Sequence, residues 1–293
     1  MSFLEEVKSE LVELRIKKNC CMASEVRGLL TFGGVPFGDG VLFGTDSFAV
    51  AKRLSVFLRR LCNIDFTDRL SEDAESYKFV IPGDVLDNLK LSRGESINET
   101  EDIEKDYCCM RAYVRGAFLA SGSASSPDKA YRVEIFSENK TATEKVAGIF
   151  EKMSLNVKTV KRKKLYVVYA NNSESASDML KVTEASGAVF KMLEAKINKE
   201  RRNDTNRQFN CDMANIERAS TNAARELDAI RIIEKKAGLD SLKPKLREAA
   251  MLRKENESST IMEMCALCDP PLAKSTLKNR LNKLIEIAKE LSD

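Results

Sequence analysis

Eight cysteines and no histidine bound the chemistry open to this 293-residue chain. Without an imidazole there is no serine–histidine or cysteine–histidine pair to generate a nucleophile, and no histidine-ligated metal. Cys265-x-x-Cys268 has the spacing of half a zinc site, but such a site needs about four ligands and no second pair of this spacing exists. A redox pair belongs at a strand–helix junction of an α/β unit. These two cysteines lie instead beside Met264 and Leu267 in a short helical stretch, where they read as apolar filler. The adjacent pairs Cys20-Cys21 and Cys108-Cys109 read likewise as buried small residues. No metal and no other cofactor is expected. Adjacent thiols suit a reducing compartment better than a secreted disulfide frame. Gly33 to Gly40 is glycine-rich but lacks the Gly-Lys-Ser/Thr ending of a phosphate loop, and reads as turn chemistry.

Two basic groups have types and spacing suited to binding. Lys274, Ser275, Lys278, Asn279, Arg280, Asn282 and Lys283 share one stretch, and Pro270 to Ile285 contains four bases and no acid. Arginine and lysine reach guanine edges or phosphates, asparagine pairs with adenine, and serine holds phosphate. The other group is Lys158, Lys161, Arg162, Lys163 and Lys164, crowded on one hairpin. Those side chains either contact phosphates or protect an exposed strand edge.

The elements that carry these groups follow from pattern. Hydrophobic residues make up 43% and charged residues 32%, with a net charge of only +3, so any nucleic-acid affinity must come from local patches. Glu95 to Asp106 is an opposing acidic segment. Residues 3–18 have the rhythm of an amphipathic helix. Neither a signal peptide nor an apolar run long enough for a bilayer is found, so a cytoplasmic location is expected.

Cys108 to Gly122 superimposes on Cys20 to Gly34 at an offset of 88, with seven of fifteen positions identical, which marks a duplication. Each stretch predicts an apolar helix with small residues along one edge. The stretches Tyr77 to Ile81 and Leu165 to Tyr169 predict strands at the same offset. Each copy therefore reads as α-β-β-α-β-β-α, in residues 1–94 and 105–195. Residues 196–212 read as a polar linker or exposed helix end. Residues 213–293 read as a helical domain: Asn215 to Lys236 stopped by Gly238, a helix opened by Pro244, a short helix capped by Ser258 or Ser259, and a last helix from Lys274 to Leu291. Leu277, Leu281, Leu284, Ile285 and Ala288 give that last helix an apolar stripe. Short helices, a turn and a longer helix make a helix-turn-helix at about 259–291.

The whole pattern resembles a known family. A duplicated unit with close-packed central helices is similar to a monomeric LAGLIDADG homing endonuclease. Followed by a helix-turn-helix, it resembles the bacterial WhiA family of sporulation and cell-division regulators. The resemblance rests on Val114-Arg-Gly-Ala-Phe-Leu-Ala-Ser-Gly122 with its first-copy partner, on Leu239-Asp-Ser-Leu-Lys-Pro-Lys-Leu-Arg247, and on Asp269 to Leu284. It covers essentially the whole chain. Laid on the nuclease motif, the two glycines fall on Gly28 and Gly34, and on Gly116 and Gly122. The metal-binding acid falls on Gly33 and Ser121, and the motif's other aspartate on Thr31 and Leu119. Cleavage with a divalent ion needs carboxylate oxygens at the scissile phosphate. Neither copy offers one there.

The expected fold class is α+β, a duplicated LAGLIDADG-like domain followed by an all-α helix-turn-helix domain. The expected function is a non-enzymatic, sequence-specific DNA-binding regulator, which the resemblance places in cell division, chromosome segregation and, in sporulating bacteria, sporulation. Its expected partner is double-stranded DNA in the nucleoid, with another transcription factor or RNA polymerase as a second partner for the duplicated domain. Neither a membrane nor a small-molecule substrate is expected. The alternatives are a protein-interaction platform, or an active endonuclease drawing its acids from Asp39, Asp46 or Asp128.

Overall fold

The computed structural model describes residues 2–71, 74–92, 98–99 and 106–292. Most of the acidic segment Glu95 to Asp106 lies outside the described residues. The chain divides into two compact units, Met1–Glu200 and Arg201–Asp293.

The first unit opens with α1 (Phe3–Glu13), held at its start by a capping box. Glu5 N donates to Ser2 Oγ at 3.3 Å, and Ser2 N donates to Glu5 Oε2 at 2.7 Å. The helix stops five residues short of the expected Lys18. The reason is tertiary: Arg53 Nη1 donates to the carbonyls of Val12 and Leu14, at 2.8 and 2.9 Å, which closes the helix end.

The first copy then runs α2 (Asn19–Gly33), β1 (Gly34–Phe37), β2 (Gly40–Thr45), α3 (Phe48–Cys62), β3 (Tyr77–Ile81) and α4 (Gly83–Asn88). Its sheet has the order β1-β2-β3, all antiparallel. A two-residue ladder, β4 (Leu91–Ser92) with β5 (Asn98–Glu99), follows. The second copy runs α5 (Tyr107–Ser121), β6 (Gly122–Ala124), β7 (Val133–Ser137), α6 (Lys140–Lys152), β8 (Lys158–Arg162), β9 (Leu165–Ala170) and α7 (Ser173–Thr183). Its sheet has four strands in the order β6-β7-β9-β8. Among the described residues the first copy lacks a partner for β8. The positions 88 residues before Lys158–Arg162 are Leu-Ser-Glu-Asp-Ala, of low strand propensity, where β8 has Lys-Thr-Val-Lys-Arg. Positions 72 and 73 lie outside the described residues.

The unit is organised around α2 and α5, which pack against each other, α2 also meeting α3 and β2 and α5 meeting α7 and β7. Gly28 and Gly116, the 88-related glycines, are what permit this. A Cβ on Gly28 would lie 2.3 Å from the Tyr113 carbonyl oxygen, and one on Gly116 would lie 2.1 Å from that of Glu25. Only hydrogen fits at either position. Around this contact Val26, Leu29, Leu30, Val114, Ala117 and Phe118 are fully buried.

Helix α8 (Ser186–Lys236) spans 51 residues. Its start buries Ala188 and Met192 in the first unit's core, and its end buries Ala229, Ile230 and Ile233 in the second's. Residues 196–212, expected as a linker or helix end, thus lie inside a continuous helix. They carry no Pro or Gly, so nothing in the backbone interrupts the helix even though Asn198, Asn203, Asp204, Thr205, Asn206, Asn210 and Asp212 are weak helix formers. Gly238 ends the region at φ +75°, with its N–H bonded to the Ile233 carbonyl at 3.0 Å.

The second unit continues with α9 (Pro244–Glu255), α10 (Ile261–Ala266) and α11 (Lys274–Glu290) around a separate apolar core. The cap of α10 is Thr260, not Ser258 or Ser259, in a second capping box: Glu263 N donates to Thr260 Oγ1 at 3.3 Å and Thr260 N to Glu263 Oε2 at 2.7 Å. These bonds hold the Glu263 carboxyl below its usual pKa. No helix among the described residues is long and apolar enough to cross a membrane.

Candidate nucleic-acid interface

Helix α11 is anchored by Leu277, Leu281, Leu284 and Ala288, all buried against Met264, Cys265, Ala249 and Ala250. Their 3–4 spacing leaves the opposite side in solvent. Lys274, Ser275, Lys278, Asn279, Asn282 and Lys283 are exposed there. Arg280 departs from the set. It lies on the other flank, its side chain 16% exposed, with Nη1 3.3 Å from Glu248 Oε2 on α9. Lys283 is already engaged one turn on, with Nζ 2.7 Å from Glu286 Oε2, and this bond raises the Lys283 pKa while lowering that of Glu286. Lys274, Ser275, Lys278 and Asn279 therefore form the open cluster at the helix start. Ala273 stands at the N-cap without a side-chain hydrogen bond, and no acid occupies the first turn. The positive end of the helix is left available to an anion.

A buried ion pair that periodicity does not reveal fixes α9, one of the helices against which α11 packs. Arg253, 2% exposed, donates from Nε to Glu226 Oε2 at 2.7 Å and from Nη1 to the Ser259 carbonyl at 2.7 Å. It ties the end of α9 to α8 and to the turn entering α10. Burial raises the Glu226 pKa, and Arg253 opposes that shift without cancelling it. An arginine at a core position of a helix reads as a surface residue until its partner, 27 residues away, is seen beside it.

The basic hairpin sits at the edge of the four-stranded sheet. Lys158, Lys161, Arg162, Lys163 and Lys164 are all exposed, with Lys163 at φ +54° in the turn. Lys158, Tyr169 and Glu134 lie side by side across three strands. Arg162 Nη1 bonds Glu134 at 3.0 and 3.2 Å, and Arg132 shares that carboxylate. Both guanidinium groups lie over the Tyr169 ring, at 5.6 and 5.9 Å from its centre. The hairpin thus joins a cationic, aromatic sheet face built around Arg132, Glu134 and Tyr169, none of which stands out in the sequence.

Gly33 and Ser121, the positions on which the resemblance lays the nuclease acids, are the last residues of α2 and α5. At Gly33 a Cβ would lie 2.7 Å from the Phe43 ring and 3.2 Å from Ala120 Cβ, so the ring fills the space a carboxylate would need. Ser121 is half-buried, and its Oγ donates to its own helix, to the Ala117 carbonyl at 3.3 Å. Asp39, Asp46 and Asp128 are all exposed. The four cysteines of the adjacent pairs, expected as buried small residues, come together in one cluster in which Cys21 and Cys109 are buried, but Cys108 is half-buried and Cys20 exposed at the helix start. Cys265 is buried and Cys268 half-buried, its thiol turned to the Met264 carbonyl at 3.5 Å.

A duplicated LAGLIDADG-like domain followed in the same chain by a helix-turn-helix domain defines the class of protein. Residues 110–202 match the WhiA LAGLIDADG-like domain, and residues 205–288 match the WhiA C-terminal HTH domain. The chain is 30% identical to the "Probable cell division protein WhiA" of Bacillus subtilis, over 99% of this chain and 97% of the relative. It is also 30% identical to the protein of the same description from Ruminiclostridium cellulolyticum, over 99% and 98%. The chain belongs to the WhiA family. Its fold is similar to the crystal structure of full-length DUF199/WhiA from Thermatoga maritima, with a TM-score of 0.63, 21% identity and complete coverage of both chains. It is also similar to the N-terminal LAGLIDADG domain of DUF199/WhiA, with a TM-score of 0.51 and 18% identity over 62% of this chain and 92% of that one.

Proposed function

We propose that this protein is a non-enzymatic, sequence-specific DNA-binding regulator acting in cell division and chromosome segregation, and in sporulation where the host sporulates. One observation carries the reading: α11 holds Lys274, Ser275, Lys278 and Asn279 in solvent around an uncapped helix start, on a helix fixed by its buried stripe. That is the arrangement in which the N-terminal part of a recognition helix enters the major groove. Lys274 and Lys278 contact phosphate or guanine, Asn279 and Asn282 read adenine, and Ser275 holds backbone. Arg280 and Lys283 add charge from the flanks. The domains are the two repeats, 1–94 and 105–195, and the helical domain from 213, with helix-turn-helix at about 259–291. The protein works on double-stranded DNA in the cytoplasm, as part of the nucleoid.

The duplicated domain supplies a second contact. Lys158, Lys161, Lys163 and Lys164 track DNA backbone, while Arg162 is held by Glu134. The protein-platform reading is favoured by the first sheet, whose open face carries Val35, Phe37 and Val80 at 63, 56 and 41% exposure. Its partner would be another transcription factor or RNA polymerase. The endonuclease reading is opposed by the Phe43 ring packed where the first copy's acid would stand.

Anisotropy with genomic fragments recovered by crosslinking tests the proposal. Affinity should fall steeply with salt, and the Lys274→Glu/Lys278→Glu variant should lose it. Binding that ignores both would reject it. Nicked or linear product from cognate supercoiled DNA with Mg²⁺ would restore the enzyme reading.

A further inference from the structure

Four thiols converge where the two central helices begin. Cys20 and Cys21 open α2 just after Asn19, and Cys108 and Cys109 open α5 just after Tyr107. Their Sγ atoms all lie within 4.8 Å of one another, with those of Cys20 and Cys21 4.0 Å apart. Cys21 and Cys109 are buried with Ala112, and apolar packing accounts for them. It does not account for Cys20, which is exposed and still within the same 4.8 Å.

A tetrahedral ion with metal–sulfur bonds of about 2.3 Å holds its four sulfurs about 3.8 Å apart. The widest pair here exceeds that by about 1 Å, within the reach of small χ1 adjustments. One ion fits this spacing. An iron–sulfur cluster, whose thiolates bind different irons, needs a wider frame. An all-thiolate set selects a soft or borderline ion such as Zn²⁺ over Mg²⁺ or Ca²⁺, which take oxygen ligands.

The surroundings suit the anion that would result, since four thiolates with one Zn²⁺ carry a net charge of about −2. Neither helix has a side-chain cap: Lys18 and Asp106 stand at the N-caps without a capping hydrogen bond. Two sets of first-turn N–H groups and two positive helix ends are thereby left beside the sulfurs. A cavity of about 280 Å³ reaches Cys21 and Cys108 and is lined by Arg15, Lys17, Lys18, Arg111 and Arg115, the last two paired with Glu184, so the lining is cationic on balance.

We propose that Cys20, Cys21, Cys108 and Cys109 form a tetrathiolate site for one Zn²⁺ ion, which clamps the two copies together at the starts of their central helices. Binding replaces four thiol protons, which pass to water, and nothing is oxidised or reduced. With all four positions taken by protein the site is closed, as structural zinc sites are. It joins residues 88 positions apart in the chain, so its loss should loosen the pairing of α2 with α5.

Elemental analysis of the full-length protein, purified without oxygen, with reductant and without a metal-affinity tag, tests the proposal. About one Zn²⁺ per chain is expected, and Co²⁺ in its place should give the intense thiolate charge-transfer and visible bands of a tetrahedral sulfur site. Cys20→Ser/Cys108→Ser, at the two less buried positions, should lose the ion, whereas Cys265→Ser/Cys268→Ser should keep it. Stripping the ion should lower the melting temperature of the wild type and leave that of the Cys20/Cys108 variant unchanged. Background Zn²⁺ together with no Co²⁺ spectrum in the wild type would overturn the site, as would a metal lost with Cys265/Cys268 instead. Recovery of only a disulfide between the copies under these conditions would also overturn it. If the Cys20/Cys108 variant does not fold, the wild-type Co²⁺ spectrum decides alone.

Discussion

Arg115 of the second copy donates from Nε to Glu25 of the first at 2.7 Å, with side-chain exposures of 1 and 0%. The same carboxylate takes Arg53, whose Nη2 lies 3.0 Å from Glu25 Oε2, and Arg115 also pairs with Glu184. One buried acid thus holds three helices, α2, α3 and α5, and α7 is tied in through its C-cap. The duplication does not repeat this: the residue 88 after Glu25 is Tyr113, and Arg27, the counterpart of Arg115, donates instead to the Leu89 carbonyl at 2.6 Å. The network is a one-sided lock across a two-sided packing.

Removing the acid should be costly. Glu25→Ala leaves two buried guanidinium groups short of their counter-ion, and a loss of about 3–5 kcal/mol is expected in urea unfolding of the full chain. Loss of under about 1 kcal/mol would mean that water or Glu184 compensates.

Two glycine substitutions should move stability in opposite directions. Gly116→Ala puts a methyl 2.1 Å from a backbone oxygen and should destabilise by roughly 1–3 kcal/mol or more, since α2 and α5 must separate. Gly148→Ala in α6 meets nothing within 4 Å and should stabilise by roughly 0.5–1 kcal/mol through helix propensity. Thermal melts of the pair check both signs.

The ion pair in the second unit predicts a pH dependence. Glu226 has a folded pKa above its ordinary 4.5, so between those two values the folded state holds more proton than the unfolded state. Stability should therefore fall as pH rises from about 4.5 through the raised value, and level off above it. Glu226→Gln should flatten that slope in unfolding experiments from pH 4 to 8, because its amide does not titrate. A slope unchanged by the substitution would assign the effect to other groups.

The two flanks of α11 should separate in binding assays. Lys278→Ala should weaken affinity at every sequence and reduce the salt slope by about one, as loss of one phosphate contact does. Arg280→Ala should change affinity less, because its guanidinium already meets Glu248. An Arg280 effect equal to that of Lys278 would show that the Glu248 contact breaks when DNA binds.

Periodicity made the helices legible, and the 88-residue self-similarity made the duplication and its central pair legible. Both are local or one-dimensional signals that survive without coordinates: a 3–4 apolar stripe names a buried face, and two copies of one helix imply a pseudo-symmetric partner. That Gly33 and Ser121, where the resemblance lays the nuclease acids, carry no carboxylate was equally plain, since residue type is read directly. Tertiary structure decided the rest, for the reason that long-range contacts leave no trace in spacing. Nothing near Glu25, Arg53 and Arg115 in the chain says that they meet. Nothing near Arg280 says that Glu248 takes it from the exposed set. Leu14 to Lys18 continue a helical rhythm that Arg53 ends from 39 residues away. The cysteine pairs show it most sharply: Cys20-Cys21 and Cys108-Cys109 are unremarkable as dipeptides, and only the close approach that Gly28 and Gly116 allow brings four sulfurs to one point.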